Sequence, residues 1–160
     1  MVESKEMAAR RGLFFEEFEL GQVFTSLGRT ITETDVVSFA GLTGDWNPIH
    51  TDREYAARQS FGQRIAHGML GLSIATALAM RLGILDETLL AFREIVQWKF
   101  SLPIFLNDTV HTRAAVTDLR RVSRLNGGMV TLTVDLVNQK NETVQHGSWT
   151  VLVKSQTQTG

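Results

Sequence analysis

The residues best suited to chemistry in this sequence lie in one stretch of eight, T-G-D-W-N-P-I-H, at positions 43–50. Asp45 offers a carboxylate, and His50 offers an imidazole, which titrates near neutral pH. The two side chains could hold one water molecule and move protons to and from it, as general acid-base catalysis requires. The pattern also allows a structural alternative, in which Asp45 closes a turn with Gly44 and His50 hydrogen-bonds the loop.

The backbone of this stretch is restricted by its glycine and its proline. Pro48 fixes its own φ and moves Asn47 toward extended backbone. We therefore predict a loop of defined shape, in which Gly44 and Pro48 together prevent a regular helix. Asn47 either contacts a reactant or performs the ordinary turn chemistry of an asparagine before a proline.

A second candidate lies at the start of an apolar segment over 67–83, H-G-M-L-G-L-S-I-A-T-A-L-A-M-R-L-G. The first turn of a helix leaves N–H groups unpaired and partly positive, and a glycine lets another molecule approach them closely. The Gly68 amide is therefore a candidate donor to a developing oxyanion, although Gly68 could instead serve close packing of the helix. The pattern around His67 is typical of a core or loop histidine.

Four side chains near these stretches have metal-binding groups: Asp45, His50, Asp52 and His67. Their spacing matches no metal motif such as H-E-x-x-H, so we predict no metal site.

Composition limits the possible partners. The chain has 160 residues, of which 43% are hydrophobic, and this length suits one domain with its own core. Because 16 basic residues balance 17 acidic ones and no basic run occurs, we expect small-molecule partners and no nucleic acid. The absence of cysteine excludes disulfides and a thiol nucleophile, and it suits a cytoplasmic protein.

The first half of the chain predicts short elements around one buried helix. We expect an edge strand over 23–31, a short helix that begins after Thr32, and a second that follows the capping pattern of 51–54 and ends at Gly62. The segment 67–83 is apolar on nearly every face, which predicts a buried helix. It is too short to cross a membrane comfortably, and Arg81 interrupts it, so we expect no membrane span.

The second half predicts an antiparallel meander. Apolar residues alternate with polar ones over 96–102, which indicates a strand with one buried face formed by Val96, Trp98, Phe100 and Leu102. Further strands are predicted at 109–123, 128–137 and 142–154, with turns at 126–128 and 138–141. The fold class expected is α+β, in which a single domain over 15–155 wraps its sheet around the helix, with terminal tails at 1–14 and 156–160.

Taken together, these motifs resemble the MaoC-like dehydratase family, that is, (R)-specific enoyl-CoA hydratases of the hot-dog fold. The resemblance rests on F-A-G-L-T-G-D-W-N-P-I-H-T-D-R-E-Y-A at 39–56, I-A-H-G-M-L at 65–70 and F-S-L-P-I-F-L-N-D-T-V at 100–110. It covers about residues 15–153.

The resemblance implies a role for each candidate residue. Asp45 and His50 would form the catalytic dyad, with Asn47 in the same constellation, and Gly68 would supply an oxyanion-hole amide. Thr76 resembles a hydroxyl residue of the central helix that often lines the family's pocket. The sequence has two features to note against the family pattern. Asn107 occupies a position where the family commonly has glycine, and the wide side chain of Trp46 could reshape the acyl channel.

The activity implied is reversible hydration of a trans-2-enoyl thioester to an (R)-3-hydroxyacyl thioester, without metal or organic cofactor. The substrate carrier would be coenzyme A or an acyl-carrier protein, and the protein would form a homodimer or a higher homo-oligomer. Two alternatives stay open on sequence alone: a hot-dog thioesterase, and a non-catalytic acyl-binding or assembly subunit.

Overall fold

A computed structural model of the protein describes residues 12–156. The first half contains β1 (Val23–Thr25), β2 (Arg29–Thr30), α1 (Glu33–Thr43), α2 (Pro48–Thr51), α3 (Arg53–Ala57) and α4 (Gly68–Met80). The second half contains β3 (Leu89–Phe100), β4 (Thr109–Val122), β5 (Gly127–Val137) and β6 (Thr143–Lys154), and short 3₁₀ turns lie at Phe15–Glu17 and Ser123–Leu125. Over this range, no helix has both the length and the apolar content needed to cross a membrane.

The sheet is antiparallel and has the strand order β1-β4-β5-β6-β3, with β2 also paired to β4. The meander predicted for β4, β5 and β6 is confirmed. However, β3 does not continue it, because β3 pairs with β6 at the opposite side of the sheet from β4. Periodicity indicates which residues form strands, but it does not specify which strands become neighbours.

Helix α4 packs against the sheet as the buried helix that the sequence predicts. Its Leu70, Ile74 and Leu78 are buried and belong to one apolar core with sheet residues such as Leu132 and Trp149. The helix ends at Met80, before the predicted Gly83. A buried helix against one antiparallel sheet is the α+β arrangement expected from the sequence.

The apolar face predicted for β3 is not buried. Trp98 is partly buried, but Val96 is 62% exposed and Phe100 is 54% exposed. The prediction of one buried face is wrong for Val96 and Phe100, and also for Leu102, which is 43% exposed. Among residues 12–156, β3 forms an edge of the sheet and pairs with β6 alone. The fold therefore leaves an apolar edge strand uncovered.

The short helices begin at side-chain caps. Thr32 caps α1 as predicted: its hydroxyl accepts a hydrogen bond from the Asp35 amide at 3.2 Å, and the Asp35 carboxylate accepts one from the Thr32 amide at 2.8 Å. The cap of α3 is Asp52, which accepts from the Tyr55 amide at 2.8 Å, and α3 ends at Ala57, before Gly62. Two reciprocal bonds at one helix start satisfy amides that would otherwise be unpaired.

The prediction that 43–50 forms no regular helix is wrong at both ends, because Thr43 is the last residue of α1 and Pro48 begins the single turn of α2. A proline at the first helical position has the required φ and lacks an N–H that would be unpaired there in any case.

The packed part of the domain begins before the predicted boundary. Gly12 donates a backbone hydrogen bond to Asp86 at 2.8 Å, and Leu13 donates one to Ile84 at the same distance. The predicted tail is therefore wrong for 12–14, while 1–11 and 157–160 lie outside the described residues. At the other end, Gln156 donates its amide hydrogen to Glu16 at 3.0 Å.

Candidate active site

Asp45 lies in the turn that joins α1 to α2. Gly44 ends α1 with a φ of 78°, a left-handed conformation that glycine adopts without steric cost. The Asp45 carboxylate accepts a 3.3 Å hydrogen bond from the Asn47 amide and is exposed. The turn therefore holds the carboxylate at the protein surface close to α2.

His50 lies on α2 with one ring nitrogen fixed. Its Nδ1 is 2.8 Å from the carbonyl oxygen of Ile65, in the segment that leads to α4. A carbonyl oxygen can only accept a hydrogen bond, so Nδ1 carries the hydrogen and the neutral ring has its lone pair on Nε2. Burial of the ring lowers the pKa of His50, and the neighbouring His67 acts in the same direction, while the Ile65 hydrogen bond and the Asp45 charge oppose the shift. His50 is therefore a neutral base near pH 7.

His67 is the cap residue of α4 and is 2% exposed. Its Nε2 is 2.9 Å from the backbone carbonyl of Asp45, and its ring stacks on His50 with centroids 3.9 Å apart. One carboxylate oxygen of Asp45 and one nitrogen of each histidine all lie within 4.8 Å of one another. The fold thus gathers two residues predicted for the site and a third that the sequence favoured as structural.

Within residues 12–156, Asp45, His50 and His67 form the one group of side chains close enough together to hold a metal ion, but their geometry does not suit one. The two rings are stacked with an angle of 29° between their planes. A histidine binds a metal through a lone pair in the plane of its ring, and two nearly parallel rings cannot both direct such lone pairs at one ion. Each ring also uses one nitrogen on a backbone carbonyl.

Gly68 begins α4, and no side chain caps this helix end. The first amide groups of the helix are therefore available to an incoming acceptor. A side chain at Gly68 would bring its Cβ within 2.9 Å of the Phe100 ring. The Gly68 carbonyl accepts a 3.1 Å hydrogen bond from the side chain of Gln145 on β6.

Gln145 is a site residue that the sequence interpretation missed. It is 2% exposed, and its side-chain oxygen accepts a 3.1 Å hydrogen bond from the Trp98 indole. The sequence does contain a signal for its burial. Residues 145, 147, 149 and 151 alternate onto one face of β6, and Gly147, Trp149 and Val151 on that face are buried. A polar residue in the apolar phase of a strand needs buried partners, and here they include the first turn of α4.

Two cavities meet at the start of α4. The larger, about 470 Å³, is mainly apolar and is lined by the segment 100–104 together with His50, Gly68 and Gln145. The smaller, about 330 Å³, is lined by Asp45 and His67 among others, and it shares His50 and Gly68 with the first. His50 and Gly68 therefore line both cavities, between the polar side chains of Asp45 and His67 and the apolar segment 100–104.

Two predicted residues take no part in lining these cavities. The Asn47 side chain caps α2 by accepting a 3.1 Å hydrogen bond from the Ile49 amide, which is the turn chemistry considered from sequence. Thr76 lies two turns along α4 from Gly68 and donates to the Leu72 carbonyl at 3.0 Å. Contact of either residue with a substrate stays a prediction.

Comparison with known proteins gives a family match. A model of the family described as "MaoC like domain" matches residues 17–138. The 3-hydroxybutyryl-CoA dehydratase of Methylorubrum extorquens is 37% identical over 124 residues, which cover 72% of this chain and 73% of that protein. The (R)-specific enoyl-CoA hydratase of Rhodospirillum rubrum is 39% identical over 106 residues, which cover 66% of this chain and 71% of that protein.

Solved structures show the same fold. One described as a monoamine oxidase regulatory protein from Archaeoglobus fulgius superposes with a TM-score of 0.86 at 34% identity, over 92% of this chain and 98% of that chain. A Mycobacterium tuberculosis protein with a double hot-dog fold superposes with a TM-score of 0.78 at 19% identity, over 93% of this chain and 46% of that chain. The hot-dog fold expected from the sequence is confirmed.

Proposed function

This chain belongs to the MaoC-like domain family, and from that membership and the site geometry we propose that it is a hydro-lyase acting on enoyl-CoA. It adds water reversibly across the double bond of a trans-2-enoyl thioester and gives the (R)-3-hydroxyacyl thioester. The observation that carries the proposal is the meeting of three groups at one cavity rim: the Asp45 carboxylate, the neutral His50 ring and the start of α4 at Gly68.

Asp45 and His50 can share one water molecule. A ring nitrogen of His50 and a carboxylate oxygen of Asp45 lie within 4.8 Å of each other. A single water can hydrogen-bond both groups at about 2.8 Å when they are less than about 5.6 Å apart. His50 accepts a proton from that water through Nε2 while Asp45 orients it.

The hydration step balances in atoms and protons. The water oxygen bonds to C3 of the enoyl group as the dyad takes up one proton, and the dyad delivers one proton to C2. It therefore ends the cycle in its starting protonation state. General acid-base help of this kind contributes about 10²- to 10⁴-fold to the rate.

Gly68 stabilises the charge that develops on the thioester oxygen. As water attacks C3, that oxygen gains negative charge, and the uncapped amide at the start of α4 can donate to it. Loss of one such donor from an oxyanion site typically costs about 3 to 4 kcal/mol of barrier.

The larger cavity accepts the acyl chain. Its lining near Gly68 is apolar and includes Phe100, Leu102 and Ile104. Binding of an acyl group and its carrier away from the reacting atoms supplies energy that can be used at the site. We propose that no metal or organic cofactor takes part, since the thioester is already polarised and the dyad supplies both proton transfers.

We further propose that the protein works as a homodimer in the cytoplasm. Strand β3 is a sheet edge that exposes apolar side chains, including Phe92, Ile95 and Val96. An exposed apolar edge of this kind is suited to pairing with a second copy of the chain. The absence of cysteine fits the reducing compartment.

Turnover of crotonyl-CoA tests the proposed activity. A hydratase removes the enoyl absorbance without releasing thiol, a thioesterase releases free thiol, and a binding subunit does neither. Oxidation of the product by an (R)-specific but not an (S)-specific 3-hydroxyacyl dehydrogenase would establish the stereochemistry. Thiol release, or an unchanged enoyl absorbance, would overturn the proposal.

A further inference from the structure

His67 contacts both members of the proposed dyad. Its Nε2 is 2.9 Å from the backbone carbonyl oxygen of Asp45, and its ring lies on the face of the His50 ring at 3.9 Å between centroids. The ring of Phe39 lies on it as well, at 5.0 Å. The side chain is thus fixed by three neighbours in a position where it is 2% exposed.

The hydrogen bond to Asp45 fixes where the ring hydrogen lies. A carbonyl oxygen only accepts, so Nε2 of His67 is the donor. Its Nδ1 is enclosed and has no hydrogen-bond partner within the described part of the chain. The neutral ring of His67 therefore carries its hydrogen on Nε2, whereas His50 carries its own on Nδ1.

This bond joins the turn to a distant part of the chain, whereas the other hydrogen bonds of the turn are local: the Asp45 amide donates to the Thr43 hydroxyl, the Trp46 amide to the Gly44 carbonyl, and the Thr51 hydroxyl to the Trp46 carbonyl. Asp45 is exposed, and its carboxylate has one hydrogen bond within residues 12–156, the 3.3 Å bond from the Asn47 amide. The His67 donor is the partner that the structure gives to the Asp45 carbonyl. His67 is the N-cap residue of α4, so the bond ties the Asp45 turn to the N-terminus of the buried helix.

We propose that His67 is a positioning residue for the hydration reaction. Its hydrogen bond to the Asp45 backbone and its stacking on His50 fix the separation of the carboxylate and the imidazole, so that both reach the same water. The inference rests on the proposed function and adds to it a residue that acts through Asp45.

Two substitutions separate the contributions of the donor and the ring. His67→Phe keeps a flat ring against His50 but removes the donor, and His67→Gln keeps a donor but removes the ring. Misplacement of a reacting group by about 1 Å can cost about 100-fold in rate. On crotonyl-CoA we expect His67→Phe to lower kcat by about 10- to 100-fold with KM little changed, and His67→Gln to recover part of that loss. His111→Gln on β4, a histidine outside both cavities, is the matched control and should leave kcat unchanged.

A double-mutant cycle shows whether His67 acts through Asp45. In an Asp45→Asn background, His67→Phe should lower kcat little further, because the group that it positions has already lost its function. Effects that multiply fully, or a His67→Phe variant with wild-type kcat per folded molecule, would overturn the inference. In that case wild-type turnover of crotonyl-CoA would leave the proposed function standing. If wild-type protein did not hydrate crotonyl-CoA, the proposed function would be wrong, and the inference about His67 would be wrong with it.

A measurement on the wild-type protein keeps the inference testable even if the variants do not fold. The chain has four histidines, so ¹⁵N-histidine NMR can resolve each ring, with His50→Gln, His111→Gln and His146→Gln used for assignment. We expect the hydrogen on Nε2 in His67 and on Nδ1 in His50. A hydrogen on Nδ1 in neutral His67 would remove the bond to Asp45 and overturn the inference.

Discussion

The Ile65 carbonyl oxygen lies 2.8 Å from Nδ1 of His50, and this one contact leaves Nε2 as the ring's proton acceptor. Burial also lowers the pKa of this ring, so His50 stays neutral to a lower pH than an exposed histidine with a pKa of about 6.5. The arrangement prepares His50 to accept a proton from water at neutral pH.

The pH dependence of catalysis follows from the direction of this shift. We expect kcat/KM to be highest toward pH 8 and to reach half of that value only below pH 6.5, as His50 becomes protonated. Steady-state rates on an enoyl-CoA over this range provide the measurement. A kcat/KM value that falls by half above pH 6.5 would contradict the shift.

Stability should also depend on pH through His50. Its pKa is lower in the folded protein than in the unfolded chain, so below about pH 6.5 the unfolded chain binds more protons. The free energy of unfolding should therefore be greatest above that pH and should decrease as the pH falls toward the folded-state pKa. Urea titrations of wild type and His50→Gln would isolate the contribution, since the variant should lack this part of the decrease.

The dyad predicts matched losses from Asp45→Asn and His50→Gln. Asp45→Asn keeps the shape of the side chain and His50→Gln keeps a hydrogen-bonding group, but each removes proton transfer, and each should lower kcat by about 100-fold or more. Because both residues act on one water, the double variant should be little slower than the slower single variant. Asp118→Asn, an exposed carboxylate on β4, serves as the control. Near-normal kcat with a clear loss of thermal stability would support a purely structural role.

Two glycines one turn apart on α4 should respond differently to alanine. At Gly68 the new Cβ would meet the Phe100 ring, which is 54% exposed and can move aside. Gly68→Ala should therefore fold with little change and lose turnover. At Gly71 the Cβ would come within 2.3 Å of the buried Gln145 amide, and such overpacking should lower the free energy of unfolding by about 1 to 3 kcal/mol.

Measuring kcat and denaturant unfolding on both alanine variants separates the two glycines. If Gly68→Ala lost stability as Gly71→Ala does while keeping its turnover, the role of Gly68 would be close packing and not donation to an oxyanion.

The proposed dimer predicts a specific effect at β3. Val96→Lys places a charge on the apolar edge strand and should shift the protein toward a single 17.9 kDa species in sedimentation at micromolar concentration. Leu20→Lys is the control because Leu20 has a similar exposure, 67% against 62%, but lies outside β3. A wild-type protein that sediments only as the monomer would contradict the proposal.

The sequence predicted those parts of the structure that depend on local pattern. The buried helix, the Thr32 cap and the β4-β5-β6 meander follow from periodicity and turn residues, and all three are confirmed. The position of β3 could not be predicted in this way, because its pairing with β6 joins distant parts of the chain.

The site was predictable where one motif holds its residues, and less so elsewhere. Asp45 and His50 are five positions apart, whereas the contact of His67 with Asp45 and that of Gln145 with Gly68 form only through the fold. The helical turn at Pro48 was missed because proline ends helices as readily as it begins them.

The pairing of β3 with β6 also bears on how the chain folds during synthesis. Phe100 pairs with Gln145, and Leu89 pairs with Val153, so this half of the sheet closes only after β6 has been made. Contacts between residues far apart in sequence form late because they close long loops. The bond from Gln145 to the Gly68 carbonyl depends on the same pairing. A nascent chain that already contains the dyad therefore has an unfinished cavity, and it should gain activity only after β6 leaves the ribosome.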